Sequence, residues 1–311
     1  PGDGAVLAPL PAARSGVALA CGMNPRYGDL DPYWMAASAI DEALRNAVAV
    51  GADPDRTALL DNFAWGNTDK PDRLGALVRA AEACYDFAKA FGTPFISGKD
   101  SLNNEYAAGG KTICIPHTLL ISALGVVPDL YRATSSDAKK EGNAVFAVGV
   151  TAEELGGSHY AAIHGVLGDG VPEVDRNLAP QLFRKLHGAI IAGLVRSCHD
   201  LSEGGLAVAA AEMCIGGELG MELGLGDVPV AGGKLDDDVL LFSESNSRFL
   251  VEVDDEKVTR FERWMSGLPI ARIGEVTAGP YLVIRGADKS LAVSATWQDL
   301  RDAWQGTFRD W

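Results

Sequence analysis

The sequence reads as an α/β protein, α+β in the looser sense, built from two domains. Three observations carry that reading. Long helical patterns alternate with short apolar runs, as they do in layered folds of helices on sheets. A polar, charged stretch at residues 132–143 (RATSSDAKKEGN) interrupts the alternation, which then restarts. The length of 311 residues suits about two domains. The expected division is 1–135 and 136–311.

The elements follow in order. Residues 1–16, rich in Pro, Gly and Ala, read as a connector, and Val17–Cys21 as a β-type run. An Ala-rich stretch from about Tyr33 to Val50 predicts a helix, with Gly51 at its C′ position. Ala58–Leu60 predicts a short buried strand that stops at Asp61. Between Pro71 and Phe91, Leu74, Leu77, Val78, Ala81, Cys84, Tyr85 and Ala88 recur at three- and four-residue spacing, the mark of a helix. Pro71 and Asp72 suit its first turn and Gly92 its end. Pro94–Ile96 and Leu119–Leu124 predict further strands. The second half predicts a strand at Ala144–Val148, a helix at Ala179–Leu194, a strand at Val195–His199 and a helix at Leu206–Cys214. Arg248–Val253 alternates as a half-buried strand should, and Tyr281–Ile284 and Leu291–Val293 are late strands. Asp236–Asp238 reads as a solvated loop. Thr296 and Asp299 form a capping-box-like pair at the start of a closing helix.

Composition narrows the function. The formal charge of −15 argues against nucleic acid and anionic membrane as partners. Phosphorylated ligands remain open, provided metal ions and backbone amides supply the local positive field. There is no apolar run of ~18 residues and no signal peptide at the start, so the expected compartment is the cytoplasm. The five cysteines form no CxxC pair and read as reduced thiols in the core. The chain opens on Pro1, which suggests a fragment or a processed product.

Four segments hold chemistry, and residue types leave two readings open for each. In Phe95–Glu105 a strand runs into a small-polar loop. Gly98 would let a ligand approach the backbone, Lys99 suits phosphate, Ser101 offers a hydroxyl and Asp100 could hold a metal. The alternative is a polar β-turn with a solvated Lys-Asp pair. In Asp61–Asn67, Asp61 stands at a strand's C-terminal end, where ligands bind in α/β layers, or it makes an Asx-turn. Glu42 and Asn46, four apart, share a helix face that can grip one Mg²⁺ or simply be solvated. In Ser197–Leu206 a strand hands over to a helix. Ser202 is a natural N-cap, Gly204-Gly205 opens a helix N-terminus able to receive an anion, and Asp200 could bring a cation to it. His199 is either catalytic or structural. Weaker signals are Leu155–Tyr160 and Glu244–Arg248, each a site lining or a turn.

Taken together, CGMNPRYGDLDP (21–32), DEALRN (41–46), LDNFAWGNTDKP (60–71), PFISGKDSLNNE (94–105), LGGSHY (155–160), CHDLSEGGLAVAAAE (198–212) and LFSESNSRFLVEV (241–253) resemble the AIR-synthase-related superfamily, and within it the second half of the phosphoribosylformylglycinamidine synthases. The motifs stand in the family's order and cover nearly the whole chain.

The resemblance implies a PurM-like half-unit: an α/β domain whose sheet pairs across a two-fold axis, then a second α/β domain. It implies a ligase of purine biosynthesis that turns formylglycinamide ribonucleotide, ATP and glutamine-derived ammonia into formylglycinamidine ribonucleotide through an iminophosphate. The implied cofactors are ATP or ADP and Mg²⁺. The implied partners are the N-terminal half of the same synthase and a glutaminase subunit or domain, since no glutaminase Cys-His-Glu set is apparent here. A homodimer is expected in isolation.

By resemblance, Asp61 and Gly98 match ATP contacts and Ser101 a substrate contact. Lys99 replaces a Mg²⁺-binding Asn of the small-type enzymes and is expected on phosphate. Glu42, Asn46, Asp200 and Ser202 match an auxiliary nucleotide site whose metal is held by Glu42, Asn46 and Asp200, and Leu19 falls where that site expects an Asp. The family's catalytic histidine belongs to the other half, so no catalytic residue is assigned. The rivals are a homodimeric relative, such as aminoimidazole ribonucleotide synthetase, thiamine monophosphate kinase or selenophosphate synthetase, and a non-catalytic nucleotide-binding half. FAWGN and SGKDSLNNE argue against the first.

Overall fold

The computed structural model describes residues 2–306. The first unit holds β1 (Ala5–Leu7), β2 (Gly16–Gly22), α1 (Pro32–Ala49), β3 (Thr57–Ala64), α2 (Pro71–Phe91), β4 (Phe95–Ser101), the hairpin β5 (Glu105–Ala108) and β6 (Lys111–Cys114), and β7 (Thr118–Val127). Five strands form one sheet in the order β1-β2-β7-β3-β4, in which only β3 and β4 run parallel. Alternation in β7 sets the two faces. Leu119, Ile121, Ala123 and Val127 are buried with the helices, while Leu120, Ser122, Leu124 and Val126 face the other way and are half-buried.

The second unit holds β8 (Ala144–Val148), α3 (His159–Ile163), α4 (Leu178–Ile191), β9 (Ser197–Asp200), α5 (Gly205–Gly217), β10 (Gly220–Gly224), α6 (Asp237–Phe242), β11 (Phe249–Val253), α7 (Val258–Trp264), β12 (Ile270–Thr277), β13 (Tyr281–Arg285), β14 (Leu291–Thr296) and α8 (Trp297–Gly306). Its seven strands run β14-β13-β10-β12-β8-β11-β9. One core packs the first sheet, α1, α2, α4 and alternate residues of β8 and β11 together. A second core fills the far face of the larger sheet under α5. Helix α1 is thus enclosed by both units, and every residue from Met35 to Val50 is buried. Its alanines let two layers approach it closely. Asp31 caps its start by accepting from Tyr33 N at 2.8 Å.

The main elements lie where the sequence places them, and the differences have physical causes. The connector contains a strand, because β1 covers the edge of β2. β3 continues past Leu60 to Ala64, so Asp61 sits within a strand rather than at its end. β4 likewise continues through Ser101, because its pairing to β3 persists from Phe95 to Ser101. β11 is buried at every position, since cores lie on both of its faces. The 132–143 segment is tied down rather than free. The Glu252 carboxylate takes the amides of Lys139 (2.8 Å) and Lys140 (3.1 Å) and Nδ2 of Asn143 (2.6 Å). Asp237 and Asp238 start α6, and Asp237 accepts from Ala287 N at 2.9 Å. All five cysteines are free thiols, but only Cys198 and Cys214 are buried, and Cys21 is exposed. The expected Thr296–Asp299 cap forms, with Asp299 N donating to Thr296 Oγ1 at 3.1 Å. Among the described residues, no helix is long and apolar enough to cross a membrane.

Candidate functional site

Where α1 meets the end of β9, charged groups from distant parts of the chain are buried together. Arg45 donates to Asp41, one turn back on α1, and its Nε donates to Asp200 Oδ2 at 3.1 Å. Asp41 also accepts from Ser247 N at 2.9 Å and from the Ser247 hydroxyl. These two bonds hold Ser247 at φ +57°, a left-handed backbone unusual for serine.

One residue on from Asp41 and Arg45, on the adjacent face of α1, lie Glu42 and Asn46. Glu42 Oε2 accepts from Met23 N (3.0 Å) and Asn24 Nδ2 (2.9 Å). Burial, together with the neighbouring Glu203 and Asp200 carboxylates, pushes its pKa up to about 8, against the pull of Arg45. Asn46 donates to Cys21 O at 3.0 Å, while its buried Oδ1 has no partner. From the opposite side, Asp3 Oδ1 lies 2.6 Å from His199 Nδ1, and Asp3 Oδ2 accepts from Asp200 N at 3.3 Å. His199 Nε2 reaches Glu212 at 2.9 Å. Burial disfavours the imidazolium, but the Asp3 and Glu212 carboxylates outweigh it and raise its pKa to about 10.

This donor set fits Mg²⁺. It is rich in oxygen, it holds a carboxylate whose charged form is disfavoured by burial and by the neighbouring Glu203 and Asp200, and it leaves the acceptor Oδ1 of Asn46 unsatisfied. The ligating atoms of Asp3, His199 and Asp200 lie within 4.8 Å of one another. His199 already spans two carboxylates, so oxygen atoms are the better ligands.

The structure therefore gathers Glu42, Asn46 and Asp200 into one region and adds Asp3, which the sequence reading placed in a connector. The available signal was a carboxylate between two glycines, Gly2 and Gly4. Leu19 is no part of the cluster. It lies 43% exposed on the first sheet, paired with Ala5. Asp41, Arg45 and Tyr27 also went unforeseen as buried polar groups. The Asp41/Arg45 spacing of four was the visible sign. Ser202 is not the N-cap of α5. Gly204 is, at φ +78°, followed by Gly205 at φ +63°, where a Cβ would lie 2.4 Å from Ser243 O.

The remaining predicted residues form a second surface, at the other edge of the first sheet. Asp61 pairs with Gly98 in the β3–β4 register. A Cβ on Gly98 would lie 2.0 Å from Asp61 Oδ1, so only glycine allows this approach. Partial burial, then the Asp100 charge, raise the Asp61 pKa against a bond from the Lys99 amide. Lys99 donates to the Ser101 hydroxyl. The FAWGN and NNE segments brace this strand end. Trp65 N donates to Ser101 O (2.7 Å), Asn104 N to Trp65 O (2.8 Å) and Asn67 N to Glu105 Oε1 (3.0 Å). Exposed on an edge strand, the surface has a floor and no opposing wall within the described residues.

Comparison with known proteins agrees with this architecture. The model of the AIR synthase related protein, N-terminal domain, matches residues 1–127, and that of the C-terminal domain matches 140–286. Phosphoribosylformylglycinamidine synthase subunit PurL of Deinococcus radiodurans is 36% identical over 309 residues, covering 97% of this chain and 40% of that protein. The PurL subunit of Thermobifida fusca is 37% identical over 296 residues, covering 94% of this chain and 36% of its own length. The chain thus spans about two fifths of the curated relatives it matches. Among solved structures, T. maritima PurL complexed with FGAR superposes with a TM-score of 0.78 at 22% identity, covering 92% of this chain and 46% of that one. Hydrogenase maturation protein HypE shares the fold at a TM-score of 0.67 and 16% identity, covering 90% and 88%. With both family domains in order over most of its length, this chain belongs to the AIR synthase related proteins, and its sequence relatives are PurL subunits of phosphoribosylformylglycinamidine synthase.

Proposed function

We propose that the chain is the C-terminal half of a phosphoribosylformylglycinamidine synthase. It works in the cytoplasm with the N-terminal half of that enzyme and with a glutaminase that supplies ammonia, and its two domains divide at residues 135 and 136. The whole enzyme converts formylglycinamide ribonucleotide, ATP and ammonia to formylglycinamidine ribonucleotide. Two surfaces divide the work. Asp61, Gly98, Lys99 and Ser101 form the part of the active site that this half contributes. Asp61 and Gly98 receive ATP, Lys99 its phosphates and Ser101 the substrate. The open side of this edge strand is what the other half completes.

Glu42, Asn46 and Asp200, joined by Asp3, form a separate nucleotide site with Ser202 beside it. The observation that carries this reading is the unsatisfied Asn46 Oδ1 next to a carboxylate whose pKa reaches about 8. Glu42, Asn46 and Asp200 would hold Mg²⁺ there, and the ion would supply the positive charge that a phosphate needs beside these carboxylates. The chain's own groups fix the geometry. Met23 N and Asn24 orient Glu42, Arg45 orients Asp200, and His199 orients Asp3.

Because this cluster lies within one chain and is buried, it also supports a second reading, in which this half binds a nucleotide structurally and scaffolds its partner. Turnover separates the two. The isolated chain should make no product from ATP, ammonia and formylglycinamide ribonucleotide, and mixing with the N-terminal half should restore synthesis. Asp61→Ala should abolish synthesis in the mixture while leaving Mg-ADP binding intact. Product formation by this chain alone, or a mixture indifferent to Asp61→Ala, would overturn the proposal.

A further inference from the structure

We propose that Glu244 is a positioning residue: it is the resident anion of a three-donor nest, closing the start of α5 to outside anions and tying Tyr27, His159 and Gly204 into one unit. The residue is 3% exposed. Oε1 accepts from Gly204 N at 2.8 Å and from His159 N at 2.9 Å, and Oε2 accepts from the Tyr27 hydroxyl at 2.6 Å. The three donors come from widely separated segments, one of them in the first domain.

Backbone amides beside left-handed residues at a helix start form a concavity suited to anions, and Gly204 and Gly205 are both left-handed. Here the anion is the chain's own. Ser243, the residue before it, packs against Gly205, which holds the carboxylate at that distance. Burial works against its charge, but bonds from His159, Tyr27 and Gly204 outweigh burial and keep its pKa below the usual carboxylate range. A second anion on the same amides would stand against a buried negative charge. The inference is independent of which ligand the neighbouring cluster takes.

The test is chemical rescue of the full chain. Glu244→Ala should lower the thermal midpoint by on the order of 5 °C or more. Sodium formate at tens of millimolar should restore at least half of that loss, and sodium chloride at matched ionic strength should not. The unaltered chain should respond alike to both salts. Rescue no better than chloride, or an equal gain by the unaltered chain, would overturn the proposal. If Glu244→Ala does not fold, Glu244→Gln carries the test by amide hydrogen exchange. Exchange at Gly204 and His159 should be faster by about tenfold or more, and unchanged protection there would sink the idea.

Discussion

Arg45 Nε lies 3.1 Å from Asp200 Oδ2, a buried ion pair that joins the helix of the first domain to the strand end of the second. The same guanidinium serves Asp41 on its own helix, so one cation balances two carboxylates that have almost no access to water.

Removing that cation should be costly. Arg45→Met should lower the free energy of unfolding by about 3–5 kcal/mol in urea titrations, because two buried carboxylates lose their partner. Adding Asp200→Asn should recover part of the loss. Strict additivity of the two changes would show that the pair is not coupled.

Glu42 sets a pH dependence whose sign is fixed. Its pKa in the folded chain is about 8 against an ordinary 4.5, so the folded state binds the proton more tightly. Its contribution is fully present below about 4.5 and is lost as pH rises through about 8, on the order of 3–5 kcal/mol in all. His199, raised to about 10, adds a loss over higher pH with the same sign. Glu42→Gln should flatten the slope between pH 5 and 8, measured by denaturation across pH. Mg²⁺ competes with the proton, so its apparent affinity should rise by up to about tenfold per pH unit in that window. A stability that climbs with pH there would contradict the assignment.

Asp200→Asn should weaken Mg-ADP binding by about tenfold or more, and Lys99→Ala should leave it within about twofold, by calorimetric titration. The two residues lie on separate surfaces. Equal effects would mean that one nucleotide spans both.

The first sheet has an open apolar face. Leu19 is 43% exposed, and Val17, Leu120, Leu124 and Val126 beside it are half-buried. The isolated chain should form a two-fold dimer at micromolar concentration, seen by sedimentation, because a copy of the same face is the simplest cover. Leu19→Lys should shift it toward monomer. A monomer under all conditions would mean that the face tolerates water.

Local rules determined a good deal. The helix Pro71–Phe91 and the strand Ala144–Val148 stand where the sequence puts them. The helix, however, buries Ala76, Ala80, Ala83, Phe87 and Phe91, and Leu74, Val78 and Tyr85 of the expected stripe are exposed, because small alanines rather than the larger apolar residues meet the close-packed α1. The ordered motifs pointed to the family, and Glu42, Asn46 and Asp200 stood out as candidates through four-residue helical spacing and a strand-to-helix turn, with their proposed role carried by the resemblance.

Only the tertiary structure decided the rest. Strand length depends on partners, so β3 and β4 run on through Asp61 and Ser101 for as long as their ladder lasts. Asp3 joined the cluster because β1 covers an edge that no local pattern reveals. Glu244, which the sequence left between a site and a turn, became the anion on α5 because Tyr27 and His159 approach it from 217 and 85 residues away. A buried charge is set by what surrounds it in space, and contacts between residues that distant in the chain leave no periodic trace in the sequence.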